Sequence, residues 1–385
     1  MIKRALTKEV KQTAKEFKLV CVTGPRQSGK TTLCKHLFGN KPYVTLEDID
    51  TSEKANRNAK AFLLQFKNGA IIDEAQRVPA LFNYLQGIVD AKQTHNQFVL
   101  TGSNNFLLQQ NISQSLAGRV GYIELLPFSL SELQNKKKLK TATAEKLMLN
   151  GFYPAVITKK SSAARWYPNY IKTYLEKDVR LIRNIGSLSL FNKFLKLCAG
   201  RSAQLLNINA LANEVGVDNK TLQAWLGVLE SSYIIFLLQP YYQNFNKRVI
   251  KSPKLYFYDT GLLCSLLGIT SESALQKSNF YGHLFENFMV SEIRKNRLNK
   301  EQNGNMYFFR DSSGNEIDVI LEKDGELIPV EVKSSKKADN SSLKNIKWFQ
   351  KVFRQQGGVL LYGGEKDKVY ENNISQIGWR SVIDL

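Results

Sequence analysis

Gly24-Pro25-Arg26-Gln27-Ser28-Gly29-Lys30-Thr31 fits the pattern G-x-x-x-x-G-K-[ST] at every fixed position. Leu19-Val20-Cys21-Val22 before it is apolar and rich in β-branched residues, as a buried strand is. After it, Thr32-Leu33-Cys34-Lys35-His36-Leu37-Phe38 sets Leu33 and Leu37 on one helical face. Strand, glycine-rich loop and helix in that order turn main-chain N–H groups toward one point beside a helix N-terminus, where phosphate oxygens bind. Lys30 is then placed to reach the β- and γ-phosphates, and the Thr31 hydroxyl to help hold Mg²⁺. Residues 24–32, Thr32 included, are the expected binding set for a nucleoside triphosphate.

Four more strand-like runs follow: Tyr43-Val44-Thr45-Leu46, Ala70-Ile71-Ile72, Phe98-Val99-Leu100 and Tyr122-Ile123-Glu124-Leu125. Helical stretches fall between them, which predicts a parallel sheet covered on both faces. Ala70-Ile71-Ile72-Asp73-Glu74 is a short buried strand ending in two carboxylates at the edge where the loop lies. Asp73 is placed to act on Mg²⁺ and Glu74 to polarise an attacking water. The next strand ends in Thr101-Gly102-Ser103-Asn104-Asn105, where Ser103 or Asn104 can sense a γ-phosphate, or the segment is a plain turn. In Leu116-Ala117-Gly118-Arg119-Val120, Arg119 is a candidate for stabilising a transferred phosphoryl group, from its own subunit or across an interface. A surface arginine at a helix C-terminus is the competing explanation.

The segments GPRQSGKTTL, IIDEAQRVP, VLTGSNNFLL and LAGRVGYIELLPFSLSEL resemble the P-loop ATPase module of the AAA+ and related class. The similarity is to the branch in which a C-terminal domain of unknown function follows, and it extends over the whole chain. It implies an ATPase with ATP and Mg²⁺ as ligands and residues 1–135 as its ATPase domain. A homo-oligomer is compatible with it.

The chain has 385 residues, 43% hydrophobic and 23% charged, enough for two or three domains. Its 54 Lys and Arg against 34 Asp and Glu give a formal net charge of +20. That excess points to nucleic acid as partner, DNA before RNA, with an anionic surface second. The lysines are spread along the chain, Lys136-Lys137-Lys138 being the one tight run. Cys21, Cys34, Cys198 and Cys264 are scattered, form no C-x-x-C pair and, with three histidines, argue against structural zinc. Reduced cysteines, a polar N-terminus without signal-peptide character and no apolar run longer than 233–238 predict a cytoplasmic protein that does not insert in membranes.

Residues 136–278 are expected to be largely helical. Tyr167, Tyr170, Ile171 and Tyr174 share a face at helical spacing, a stripe better suited to core packing than to base stacking. Within residues 205–260 a helix over 208–215, a turn at Gly216-Val217-Asp218, a helix over 220–232 capped by Asp218 or Asn219, and two strands follow one another. That is the order of a winged helix, with Asn244, Asn246, Lys247, Arg248 and Lys251 as its wing. The second helix offers Lys220 and Gln223 but also Glu230 and a mostly apolar surface, which disfavours sequence-specific reading of bases.

Residues 279–385 return to α/β character. A helix carries Glu286, and two strands, joined through Lys323-Asp324-Gly325, carry Asp318 and then Glu331 and Lys333 on one face. An Asp, twelve residues and Glu-x-Lys across a hairpin is similar to the PD-(D/E)xK nuclease core, although no proline precedes the acid. In that likeness Glu286, Asp318 and Glu331 would bind Mg²⁺ and Lys333 would stabilise charge during phosphodiester cleavage. The alternative is a nuclease-like fold that binds without cutting. The expected architecture is thus a P-loop parallel-sheet ATPase domain, a helical and winged-helix region, and an α/β restriction-endonuclease-like domain.

Overall fold

The structure, a computed structural model, describes residues 2–91, 95, 98–103, 108, 112, 115–134, 141–158, 161–175, 187–241, 251–300 and 305–385. Asn104, Lys136-Lys137-Lys138 and the expected wing residues Asn244, Asn246, Lys247 and Arg248 lie outside the described residues, as does the side chain of Tyr174. The chain forms two compact units: Met1–Phe128 with Ser231–Tyr233, and Ser129–Glu230 with Ile234–Leu385.

The first unit runs α1 (Thr7–Glu16), β1 (Leu19–Thr23), α2 (Lys30–Leu37), β2 (Tyr43–Thr45), α3 (Ile49–Arg57), α4 (Ala59–Leu64), β3 (Ile71–Asp73), α5 (Ala80–Ala91), β4 (Phe98–Thr101) and β5 (Val120–Glu124). Its five strands pair in the order β2-β3-β4-β1-β5, all parallel. Side chains alternate between the two faces along each strand. Leu19, Cys21, Ile72 and Leu100 therefore meet Phe82 and Leu85 in one core, while Val20, Val22, Ile71 and Val99 meet Leu33, Cys34 and Val10 in another. Burial on both faces explains why these strands read as unbroken apolar runs. Parallel pairing also brings the ends of β1, β3 and β4 to one edge, where ligands bind in such sheets.

The second unit contains α6 (Ala144–Asn150), α7 (Ala163–Tyr170), α8 (Leu188–Gly200), β6 (Gln204–Leu205), α9 (Ile208–Val215), α10 (Asn219–Ser231), β7 (Ile235–Leu238) and β8 (Lys254–Phe257). Tyr167 and Tyr170 of the aromatic stripe are buried, and the ring of Tyr170 stacks on Trp166 at 4.8 Å. Gly216, with φ +91°, ends α9, and Asp218 accepts from the Thr221 N–H at 2.9 Å to start α10. β6, β8 and β7 form a three-stranded antiparallel sheet.

The same unit continues with α11 (Tyr281–Asn299), β9 (Met306–Arg310), β10 (Glu316–Lys323), β11 (Glu326–Lys333), α12 (Lys344–Phe353), β12 (Gly358–Tyr362), β13 (Lys368–Tyr370) and β14 (Ile374–Gly378). Its six strands lie in the order β13-β14-β12-β11-β10-β9, antiparallel at the flanks and parallel through β11, β12 and β14. Asp324 and Gly325, at φ +53° and +83°, turn the β10–β11 hairpin expected at that place. The middle and C-terminal regions lie within this one compact unit. Asn287 on α11 is fully buried and bonds both main-chain groups of Phe257 on β8, at 2.7 and 2.9 Å. Among the described residues no helix is long and apolar enough to cross a membrane, and all four cysteines are free and buried.

Candidate functional site

Gly24 leaves β1 at φ +142°, and a Cβ there would lie 2.1 Å from the Leu125 carbonyl oxygen. Only glycine fits that close approach. Gln27 at φ +62° and Gly29 at φ +98° complete the turn into α2. Lys30 is 6% exposed, and its ammonium donates to the carbonyls of Gly24 and Pro25, each at 2.9 Å. Burial pushes Lys30 below its ordinary pKa, while Glu74 and Asp73 oppose that push. The Ser28 hydroxyl is enclosed without a hydrogen-bond partner among the described residues. Arg26 pairs with Glu47 at 3.7 Å, and Gln27 and Thr32 are exposed.

Asp73, 7% exposed at the end of β3, draws hydroxyl donors from three elements. Thr31 on α2 and Tyr43 on β2 each donate to Oδ2 at 2.8 Å, and Thr101 on β4 donates to Oδ1. Glu74 stands beside it at φ +54°, a left-handed conformation uncommon for a side-chain-bearing residue. Its Oε2 accepts from Gln76 and from the Ser103 hydroxyl at 3.2 Å. Lys30, Thr31, Asp73, Glu74 and Ser103 thus lie together at this edge of the sheet. One carboxylate and one hydroxyl beside this glycine-rich loop suit Mg²⁺, which keeps most of its shell for water and substrate oxygens.

Arg119 is not brought to this edge. It precedes β5, whose first residue pairs with Leu19 at the start of β1. The length of β1, about 16 Å at 3.3 Å per residue, separates it from the loop. Its guanidinium forks onto Asp90 at 2.7 and 2.8 Å. The sequence pattern also passed over Arg4, Tyr43 and Thr101. Arg4 is buried and donates to the Ser28 and Leu126 carbonyls at 2.9 and 2.6 Å, pinning the loop from behind. Thr101 was legible as a hydroxyl ending the strand next to β3, whereas nothing local marks Arg4.

The second cluster lies on α11, β10 and β11. The register Val319↔Val330 puts Asp318 across from Glu331, and the Asp318 carboxylate accepts from the Val332 N–H at 2.9 Å. Lys333 donates to Glu331 at 2.7 Å, and Asn345 on α12 donates to the same oxygen at 2.9 Å. Burial, then Asp318, pushes Glu331 up to about 8, against the pull of Lys333. Its enclosed Oε2 has no hydrogen-bond partner among the described residues.

Glu286 and Asp318 face a residue that sequence reasoning did not single out. Lys254, at the start of β8 and 2% exposed, places its ammonium 3.1 Å from Glu286, 2.5 Å from Glu316 and 3.6 Å from Asp318. Burial alone would depress it; Tyr256, Glu286, Asp318 and Glu316 outweigh burial and hold it well above its ordinary pKa. Burial pushes Glu286 up to about 7, with Lys254 resisting and Asp318 adding. Among the described residues no three His, Cys, Asp or Glu side chains gather so as to hold a metal ion. The residues expected to bind Mg²⁺ here do not fit it, because an ammonium stands among the acids.

A family model described as an AAA domain matches residues 16–134, the part that reads as a P-loop module. Two models described as domains of unknown function, DUF8612 and DUF4143, match residues 141–273 and 281–382. Uncharacterized proteins of Mycobacterium tuberculosis and Mycobacterium bovis are each 32% identical to this chain over 319 residues, spanning 82% of it and 70% of each relative. A Walker-type ATPase of Pyrococcus abyssi superposes with a TM-score of 0.47 at 14% identity, covering 69% of this chain and 96% of that one.

Proposed function

The chain belongs to the same family as these two mycobacterial proteins and carries an AAA domain, and from that premise we propose that it binds ATP with Mg²⁺ and hydrolyses it. The observation that carries this proposal is the meeting of Thr31, Asp73 and Glu74 at the sheet edge where Lys30 and the loop lie. The loop amides and Lys30 would grip the β- and γ-phosphates. Thr31 and Asp73 would hold Mg²⁺, which when bound supplies positive charge against the phosphate oxygens. Glu74 orients the attacking water and takes its proton. Gln76 and Ser103 donate to its Oε2, so Oε1 would be the oxygen to meet that water.

DNA is the proposed partner of the second unit. The +20 charge supports this, as does the sequence α8, β6, α9, α10, β7, β8 with its antiparallel sheet, an arrangement suited to a winged helix. Lys220 and Gln223 are exposed in the first turns of α10, where a recognition helix makes contact. The helix α11 and mixed sheet suit a PD-(D/E)xK-like fold, but Lys254 among its acids favours binding without cleavage.

Phosphate release tests the proposal. Wild type with Mg²⁺ should release phosphate from ATP, and Lys30→Ala should not. Duplex DNA should change the wild-type rate, less so as salt rises. Wild type that releases no phosphate with Mg²⁺ present, with or without DNA, would contradict it.

A further inference from the structure

The acids of the second cluster already have a cation, and it belongs to the chain. Lys254 is delivered by β8, a strand of the three-stranded sheet, into a group of carboxylates carried by α11 and β10. Its ammonium lies 3.1 Å from Glu286, to which it donates, 2.5 Å from Glu316 and 3.6 Å from Asp318, with 2% of the side chain exposed. Tyr256, two residues along and on the same face, donates to Glu286 at 2.7 Å. Arg310 and Lys333 pair with the outer acids, at 3.0 Å from Glu316 and 2.7 Å from Glu331. A divalent ion would need several of these oxygens within about 2.6 Å of one centre. The ammonium occupies that centre instead, and two cations in one buried space repel strongly.

We propose that Lys254 is the resident cation of the Glu286–Glu316–Asp318 cluster, standing where a divalent metal would otherwise bind, and that the cluster takes up metal only when this ammonium is withdrawn. The chain therefore holds the cluster closed with its own side chain. This is independent of the ATP site: it involves no residue of the loop and is read out without nucleotide.

Mn²⁺ titration of the nucleotide-free full chain, followed by electron paramagnetic resonance at pH 8, tests the proposal. Wild type should show no Mn²⁺ site that Asp318→Asn abolishes. Lys254→Met should gain one such site, at least about tenfold tighter than any wild-type binding, and the double variant with Asp318→Asn should lose it again. Lys254→Arg keeps a cation in place and should gain none. A wild-type Mn²⁺ site lost on Asp318→Asn would overturn the proposal, and so would a folded Lys254→Met that gains nothing. Removing a buried cation strains the fold. Should Lys254→Met fail to fold, the wild-type comparison with Asp318→Asn decides alone, since a resident ammonium forbids metal there.

Discussion

The Thr31 hydroxyl donates to the Asp73 carboxylate at 2.8 Å across 42 residues of sequence, tying the first turn of α2 to the tip of β3. Both groups are oxygen ligands suited to Mg²⁺, and their contact sets the position of each before any ligand arrives. Asp73→Asn should therefore leave nucleotide binding without metal unchanged. The gain in affinity that wild type shows on adding Mg²⁺ should disappear. Fluorescence titration with a labelled ATP analogue, with and without Mg²⁺, measures both; an undiminished Mg²⁺ effect in the variant would remove Asp73 from metal binding.

Glu74 is separable from binding. Glu74→Gln keeps shape and hydrogen-bonding capacity but cannot take a proton. ATP affinity should stay within about twofold, while turnover falls by roughly 10²–10⁴. Single-turnover phosphate release at saturating ATP distinguishes the two, and an unchanged rate would assign the proton to another group.

Gly24 is the least replaceable position of the loop. A methyl group there meets the Leu125 carbonyl oxygen at 2.1 Å, at a φ of +142° that side-chain-bearing residues avoid. Gly24→Ala should cost about 3 kcal/mol, lowering the Tm of the first unit by roughly 10 °C. Thermal melting checks this, and an unchanged Tm would mean the loop has room that the structure denies it.

The loop, its flanking strand and helix, and the Asp73–Glu74 pair were legible because local pattern alone specifies them. GPRQSGKT needs its neighbours only for orientation, and a buried apolar strand ending in two acids has few other meanings. Arg4 was not legible, because its role depends on a carbonyl of Leu126 more than a hundred residues away. Arg119 matched a plausible local role, but the parallel register that sets it at the far edge emerges only from the sheet. Lys254 was hidden for the same reason. A lysine opening an apolar strand reads as a solvated end, and its acids arrive from α11 and β10. Glu286, Asp318, Glu331 and Lys333 follow one another in sequence, but the charge balance around them depends on Lys254, which only the fold brings there.

His283, on α11, reports on that balance. Burial holds its imidazole below the ordinary 6.5, Lys254 adds to this, and Asp318 and Glu316 oppose it. A depressed histidine binds protons more weakly folded than unfolded. Its share of stability is complete above about pH 6.5 and erodes as pH falls below that value. Lys254→Met should raise the His283 midpoint, because the acids remain and the neighbouring cation is gone. Three histidines make the assignment tractable by NMR titration, and an unmoved midpoint in the folded variant would place Lys254 away from the cluster.

Calorimetric titration with a non-hydrolysable ATP analogue and Mg²⁺ tests the central claim most directly. Wild type should bind one analogue per chain, and Lys30→Ala should bind at least about tenfold more weakly, because it loses the buried ammonium that meets the phosphates. No heat of binding from folded wild type, or equal affinity in the two proteins, would contradict the account.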